Sequence, residues 1–397
     1  MTLLDQIIDA STNPQISDEP LKYPFPLSAN SVLETLEIDP ENPNPNSFSL
    51  LIPLTGFQVS NVDSTLIEFN AKFFENLKGK LKNPNSISSY EFIDLIRPFF
   101  EGILEIKFGG LGDVEMGIDA VDYVCKLIGK FGSFVGRDVM GLIIEGSFVV
   151  EIWKFLEVII VNKLVDHEKC SYLVRNLVEK RRSELICLFV KHYKDMNAND
   201  LCSILKYFLC PSKDALVGMT QLRKEWESEA LLAIEKASNK LGGKKLPLAK
   251  EAALLFMVAY DGFSSWELCL HYLVSSCVEN VVFSSAINKL NAEELLGLIK
   301  YLGKWLRKYE RFPQAKPCPK AIDTWRMNLL QWVPRIDDVV KCYGLVVDEH
   351  FSSLVMRVEY HDELKSIEEV ITSLASEGRL CCSVANLKEI LKPEVIW

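Results

Sequence analysis

From residue 61 to the end of the chain, apolar residues recur at steps of three and four, the signature of helices with one buried face. The segment "AEELLGLIKYLGKWLRKYERF" (292–312) sets Leu295, Leu298, Ile299, Leu302, Trp305, Leu306 and Tyr309 on one side of a helix. Start signals recur as well: Ser31 with Glu34, Ser88 with Glu91, Ser264 with Glu267, and Asn291 with Glu294. In each, the first side chain can accept from an orphan amide while the glutamate reaches back to the cap. "NKLGGKK" (239–245) supplies a stop, with Gly242 or Gly243 free to adopt a left-handed cap. The pattern predicts roughly 14–16 helices joined by short turns, hence an all-α protein. The architecture expected is an irregular α-solenoid or helical array, because no repeat of fixed period is present.

The N-terminal end reads differently. Eight of the seventeen prolines fall by Pro53, and "DPENPNPNSFS" (39–49) cannot sustain a helix, since proline lacks an amide donor and restricts its predecessor. Short helices are predicted near 2–10 and 32–37, and one short strand within "LLIPLTGFQVS" (50–60). Three regions follow: a Pro/Asn-rich arm (1–60), a helical array (61–311) and a C-terminal helical unit (320–397), the last two joined by "ERFPQAKPCPK".

The most apolar window, 139–165, carries Glu145, Glu151, Lys154 and Glu157. A membrane span needs about 20 nearly uncharged residues, so a single buried helix and a soluble protein are expected. Hydrophobic residues make up 48% of the chain and the net charge is −10, a folded acidic protein. That balance excludes tight sequence-independent binding to nucleic acid except at a local basic patch. The eleven cysteines include no C-x-x-C pair, and no signal peptide precedes them, which fits core thiols in a reducing compartment.

Candidate chemistry is sparse. "FGGLGDVEMGID" (108–119) contains G-x-x-x-x-G, but Ile118 and Asp119 replace the Lys and Ser/Thr of a phosphate loop, so it reads as a turn. His167, His192, His271, His350 and His361 have no zinc-ligand spacing. Cys202 with Cys210, and Cys269 with Cys277, are expected on one face of a helix as core thiols; Cys381–Cys382 is read as a reduced pair near a helix start. Cys318 would need a histidine base brought by the fold to act as a nucleophile. No catalytic, cofactor or metal residues are therefore assigned. The one charged feature is a stripe on helix 292–312, Lys300, Lys304, Arg307, Lys308 and Arg311, with Tyr301 and Tyr309 at its margins. It is either a solvated face or a contact for an acidic protein partner or RNA.

In "LVVDEHFSSLVM" (345–356), helical geometry turns Asp348, Glu349 and His350 away from one another, and sets Phe351 with Val347, Leu354 and Val355 toward the core. An amphipathic packing helix results, with no shared ligand. This run ends the tryptophan-containing segment "TWRMNLLQWVPRIDDVVKCYGLVVDEHFSSLVM" (324–356), followed by "YHDELKSIEEVITSLASEGRL" (360–380). Together with "NAEELLGLIKYLGKWL" (291–306), it resembles the C-terminal helical domain of the nucleolar protein 11 family, best over 290–380. The family's N-terminal β-propeller has no counterpart of that length here, which implies a plant-type or truncated member. The resemblance implies a noncatalytic scaffold of the nucleus and nucleolus, supporting pre-rRNA transcription, rRNA processing and small-subunit ribosome biogenesis. Other processome proteins would be its partners, with a local RNA contact and no membrane. A cytosolic helical adaptor outside the nucleolus is the alternative, and a cysteine-dependent enzyme the remote one.

Overall fold

The computed structural model describes residues 60–82, 87–109, 119–238, 245–276 and 278–390, the side chains of 387–390 excepted. The chain divides into two units, Met1–Gln58 and Val59–Trp397; the first lies outside the described residues. So do the expected arm with its two short helices and strand, the Ser31–Glu34 cap, the G-x-x-x-x-G turn and the glycine stop at 242–243.

The described part of the second unit is all-α. Its helices are α1 (Asn61–Leu81), α2 (Ser89–Phe108), α3 (Ala120–Phe131), α4 (Arg137–Val149), α5 (Trp153–Val161), α6 (His167–Glu179), α7 (Ser183–His192) and α8 (Ala198–Leu209). They continue with α9 (Lys213–Ser238), α10 (Lys245–Tyr260), α11 (Ser265–Ser275), α12 (Asn280–Ile287), α13 (Ala292–Arg311), α14 (Pro319–Trp325), α15 (Ile336–Met356) and α16 (His361–Ile390). No strand occurs among the described residues.

The predicted caps form. The Glu91 carboxylate accepts from the Ser88 amide at 2.9 Å, that of Glu267 from Ser264 at 2.7 Å, and that of Glu294 from Asn291 at 2.8 Å. Each satisfies an amide that the helix leaves orphaned.

From α3 to α9 each helix packs on its chain neighbour or on the helix two further along: α3 on α5, α5 on α7, α7 on α9, with α4, α6 and α8 as a second file. The sharp turns between successive helices have a shared cause. Glu151, Lys163 and Arg181 take left-handed backbone (φ 57°, 55° and 56°), and the amides of Ile152, Leu164 and Arg182 reach back to Ser147, Ile159 and Leu177 carbonyls. These are Schellman-type ends built without glycine. The first of them corrects the expectation of one helix over 139–165, since the chain reverses at Glu151 between α4 and α5.

The C-terminal helices share the core of the array. Helix α13 packs against α8, α15 and α16, and α15 also lies on α11 and α12. Val59–Trp397 thus forms one compact unit, to which the described helices α14–α16 belong. Among the described residues no single helix is long and apolar enough to cross a membrane.

Candidate functional site

The five basic residues of α13 were expected to form one charged surface, and they do not share one environment. Lys304 donates to buried Glu267 at 2.6 Å, while Arg307 reaches Glu363 at 2.7 Å and the Ser366 hydroxyl at 3.1 Å, tying α13 to α11 and α16. Lys308 lies half-buried over the Phe263 ring, 5.2 Å from its centre. Burial holds its ammonium below the usual lysine range; nearby Arg311 and Lys304 add to this, and Asp261 opposes it. Arg311 is exposed with its guanidinium over Phe312, and Lys300 is exposed without an ion pair among the described residues.

The tyrosines placed at the stripe's margins are core residues: Tyr301 is fully buried and Tyr309 nearly so. The reason lies in α11, whose His271 faces Tyr301. His271 Nε2 donates to the Ala259 carbonyl oxygen at 3.0 Å, which leaves Nδ1 to accept from the Tyr301 hydroxyl at 2.8 Å. Phe263, Trp226 and Trp305 enclose the ring, and burial pushes its pKa down to about 3. The imidazole is a neutral bridge with both nitrogens in use.

Helix α15 holds the D-E-H-F motif. Asp348 is exposed, Glu349 accepts from the Ser284 hydroxyl, and His350 Nε2 bonds the Ile287 carbonyl oxygen at 3.0 Å, so the last two fasten α15 to α12. His361 does similar work, its Nε2 bonding the Val355 carbonyl oxygen at 2.9 Å beside the end of α15. His350 leaves helical geometry (φ −116°, ψ 15°), and the helix kinks there. The expectation that Phe351 faces the core is overturned, because at about 100° per residue it lies about 120° around the helix from the buried Val339. Val339, Cys342, Val346 and Leu354 are buried, whereas Phe351 is 63% exposed and Val355 56%. Val340 and Met356 stand out beside them.

Helix α16 divides in the same way. Ile367 and Val370 are buried, but every side chain from Ala375 to Asn386 is exposed, a length of about 18 Å at 1.5 Å per residue. Leu380 and Val384 are one turn apart on this projecting half. Cys381 and Cys382 lie here too, deep in a helix rather than near its start. The sequence reading missed both apolar faces. Its available signal was the second stripe of α15, Ile336, Val340, Val347 and Phe351, beside the buried one: the apolar arc is too wide for a single covering side.

Other candidates are structural. Cys202 is buried in α8 while Cys210 caps it in solvent, so the two do not share a helix face; Cys277 lies outside the described residues. Burial pushes the thiols of Cys125 and Cys342 up to about 12 and that of Cys170 to about 11, and raises Cys318 as well. These values disfavour the thiolate that nucleophilic or metal chemistry requires. No group of three or more His, Cys, Asp or Glu able to hold a metal occurs among the described residues.

The "EKRRSE" segment (179–184) borders an open cleft of about 610 Å³, where Lys180, Arg181, Arg182 and Lys224 meet Glu184 and Asp214. Two of its cations are already paired, Lys180 with Glu151 at 2.8 Å and Arg181 with Asp214. Arg182 stacks on Trp153 at 4.6 Å.

Comparison with protein-family models, curated proteins and solved structures gave no match.

Proposed function

We propose that the chain is a noncatalytic helical scaffold that works through protein–protein contacts in the nucleolus, in pre-rRNA processing and small-subunit biogenesis. The observation that carries the scaffold reading is the projecting half of α16. A helix exposed on all sides from Ala375 to Asn386, with Leu380 and Val384 on one face, offers an apolar anchor to a groove on another protein. Raised thiols and a fully bonded buried histidine add to it, since both are the chemistry of packing. The nucleolar assignment rests on the resemblance of 290–380 to the nucleolar protein 11 domain. Small-subunit processome proteins are the partners it implies, with any RNA contact confined to local patches around Lys300 and Arg311.

The test is a tagged full chain expressed in cells, followed by imaging and by recovery of processome proteins. Nucleolar enrichment and their recovery are expected. Leu380→Glu with Val384→Glu should abolish recovery while leaving the melting temperature unchanged, because neither side chain packs on the body. A cytosolic distribution would replace this reading with that of an adaptor outside the nucleolus.

A further inference from the structure

The exposed face of α15 is separate from the projecting half of α16, and its pattern has an internal symmetry. Ile336 is 37% exposed, Val340 52% and Phe351 63%, with half-buried Val347 completing the stripe. Gly344 sits at its middle. A side chain added at Gly344 would meet nothing within 4 Å, so the backbone there is open to close approach from outside.

Numbered from Gly344, the stripe repeats itself in reverse. Val340 lies four residues before and Val347 three after; Ile336 lies eight before and Phe351 seven after. Beside the stripe, Lys341 lies three before and Asp348 four after, both exposed. Neither makes an ion pair with another described residue.

We propose that a second copy of this chain covers this face, the two α15 helices crossing antiparallel about a two-fold axis at Gly344. Such an axis places Ile336 on the partner copy's Phe351 and Val340 on its Val347. It sets Lys341 against the partner copy's Asp348, and by symmetry makes that pair twice. Antiparallel helices related by a two-fold present the same flank to each other, so opposite charges at matching offsets attract where any other register would misalign them. A glycine at the crossing lets the two backbones approach closely enough for the flanking valines to interlock. The charges therefore select a second copy, and this register, over an unrelated apolar partner.

Sedimentation equilibrium of the full chain across micromolar concentrations tests this directly. A dimer is expected. Lys341→Glu and Asp348→Lys should each weaken it at least about tenfold, since either change creates two like-charge contacts. The double variant K341E/D348K restores both pairs and should recover the dimer. Gly344→Arg, which fills open space in the single chain, should leave the helix folded and abolish association. Far-ultraviolet spectra and melting of each variant verify the fold. A monomer throughout the concentration range overturns the proposal, and so does a double variant no stronger than the singles. Failure here leaves the role of α16 standing, because its readout is partner recovery through Leu380 and Val384.

Discussion

Helices α13 and α15 both carry apolar residues at helical spacing, yet α13 buries its whole stripe and α15 leaves Val340, Phe351 and Val355 in solvent. The difference lies in how many neighbours each has and where they stand. Helix α13 is enclosed by α8, α15 and α16, and through His271 by α11, so even Tyr301 on its flank is covered. The neighbours α11, α12 and α13 all meet α15 on its Val339–Cys342–Val346 side. An amphipathic pattern reports which residues avoid water; it does not report whether the neighbours within one chain suffice to remove them from it.

The sharpest way to break this contrast is to truncate one aromatic on each helix. Trp305→Ala in α13 should cost about 3–5 kcal/mol by urea denaturation, from lost burial and the cavity left behind. Phe351→Ala should fall within about 0.5 kcal/mol in dilute, monomeric protein. Equal losses would mean that Phe351 is packed within the chain and that the two helices are alike.

Charge reversal separates residues that looked equivalent along α13. Lys304→Glu removes the ammonium from Glu267, which is only 2% exposed, and sets a second carboxylate beside it; a loss of about 2 kcal/mol is expected. Lys300→Glu, on an exposed position of the same helix, should stay within about 0.5 kcal/mol. A uniform response would return the stripe to a simple solvated face.

Acid sharpens the comparison at the α11–α13 contact. His271 is held to about 3 in the fold, below its usual value, so the unfolded chain takes up the proton first. Its stabilisation is complete above about pH 6.5 and declines as pH falls toward 3, with a slope of up to about 1.4 kcal/mol per pH unit. Glu225 and half-buried Glu229, both raised by partial desolvation, act in the opposite sense, so the measure is the parent against His271→Gln between pH 7 and 5.5. Glutamine can donate to Ala259 and accept from Tyr301 without titrating. Parallel curves for the two proteins would remove the histidine as the source.

The all-α fold was legible because helical propensity, capping and periodicity are local. Ser88, Ser264 and Asn291 mark starts that the structure reproduces, each with its glutamate in place. The break at Glu151 was hidden, because a charged residue stands where glycine usually ends a helix, its left-handed backbone closed by the Schellman bond from Ile152 to Ser147. The orientation of Phe351 turned on which of the two apolar sides of α15 is covered. At about 100° per residue Phe351 shares the side of Ile336, Val340 and Val347, about 120° around from Val339, and the neighbouring helices cover the Val339–Cys342–Val346 side instead.

The sequence by itself thus determined that this chain is helical, where several of its helices begin, and which side of α13 avoids water. Those properties depend on residues within a turn or two of each other. Only the tertiary structure decided that Lys304 and Arg307 are ties between helices, that His271 is a neutral bridge, and that one face of α15 and the outer half of α16 stay uncovered. Each of those outcomes depends on which distant helix arrives beside the residue, and burial, pairing and pKa follow from that neighbour.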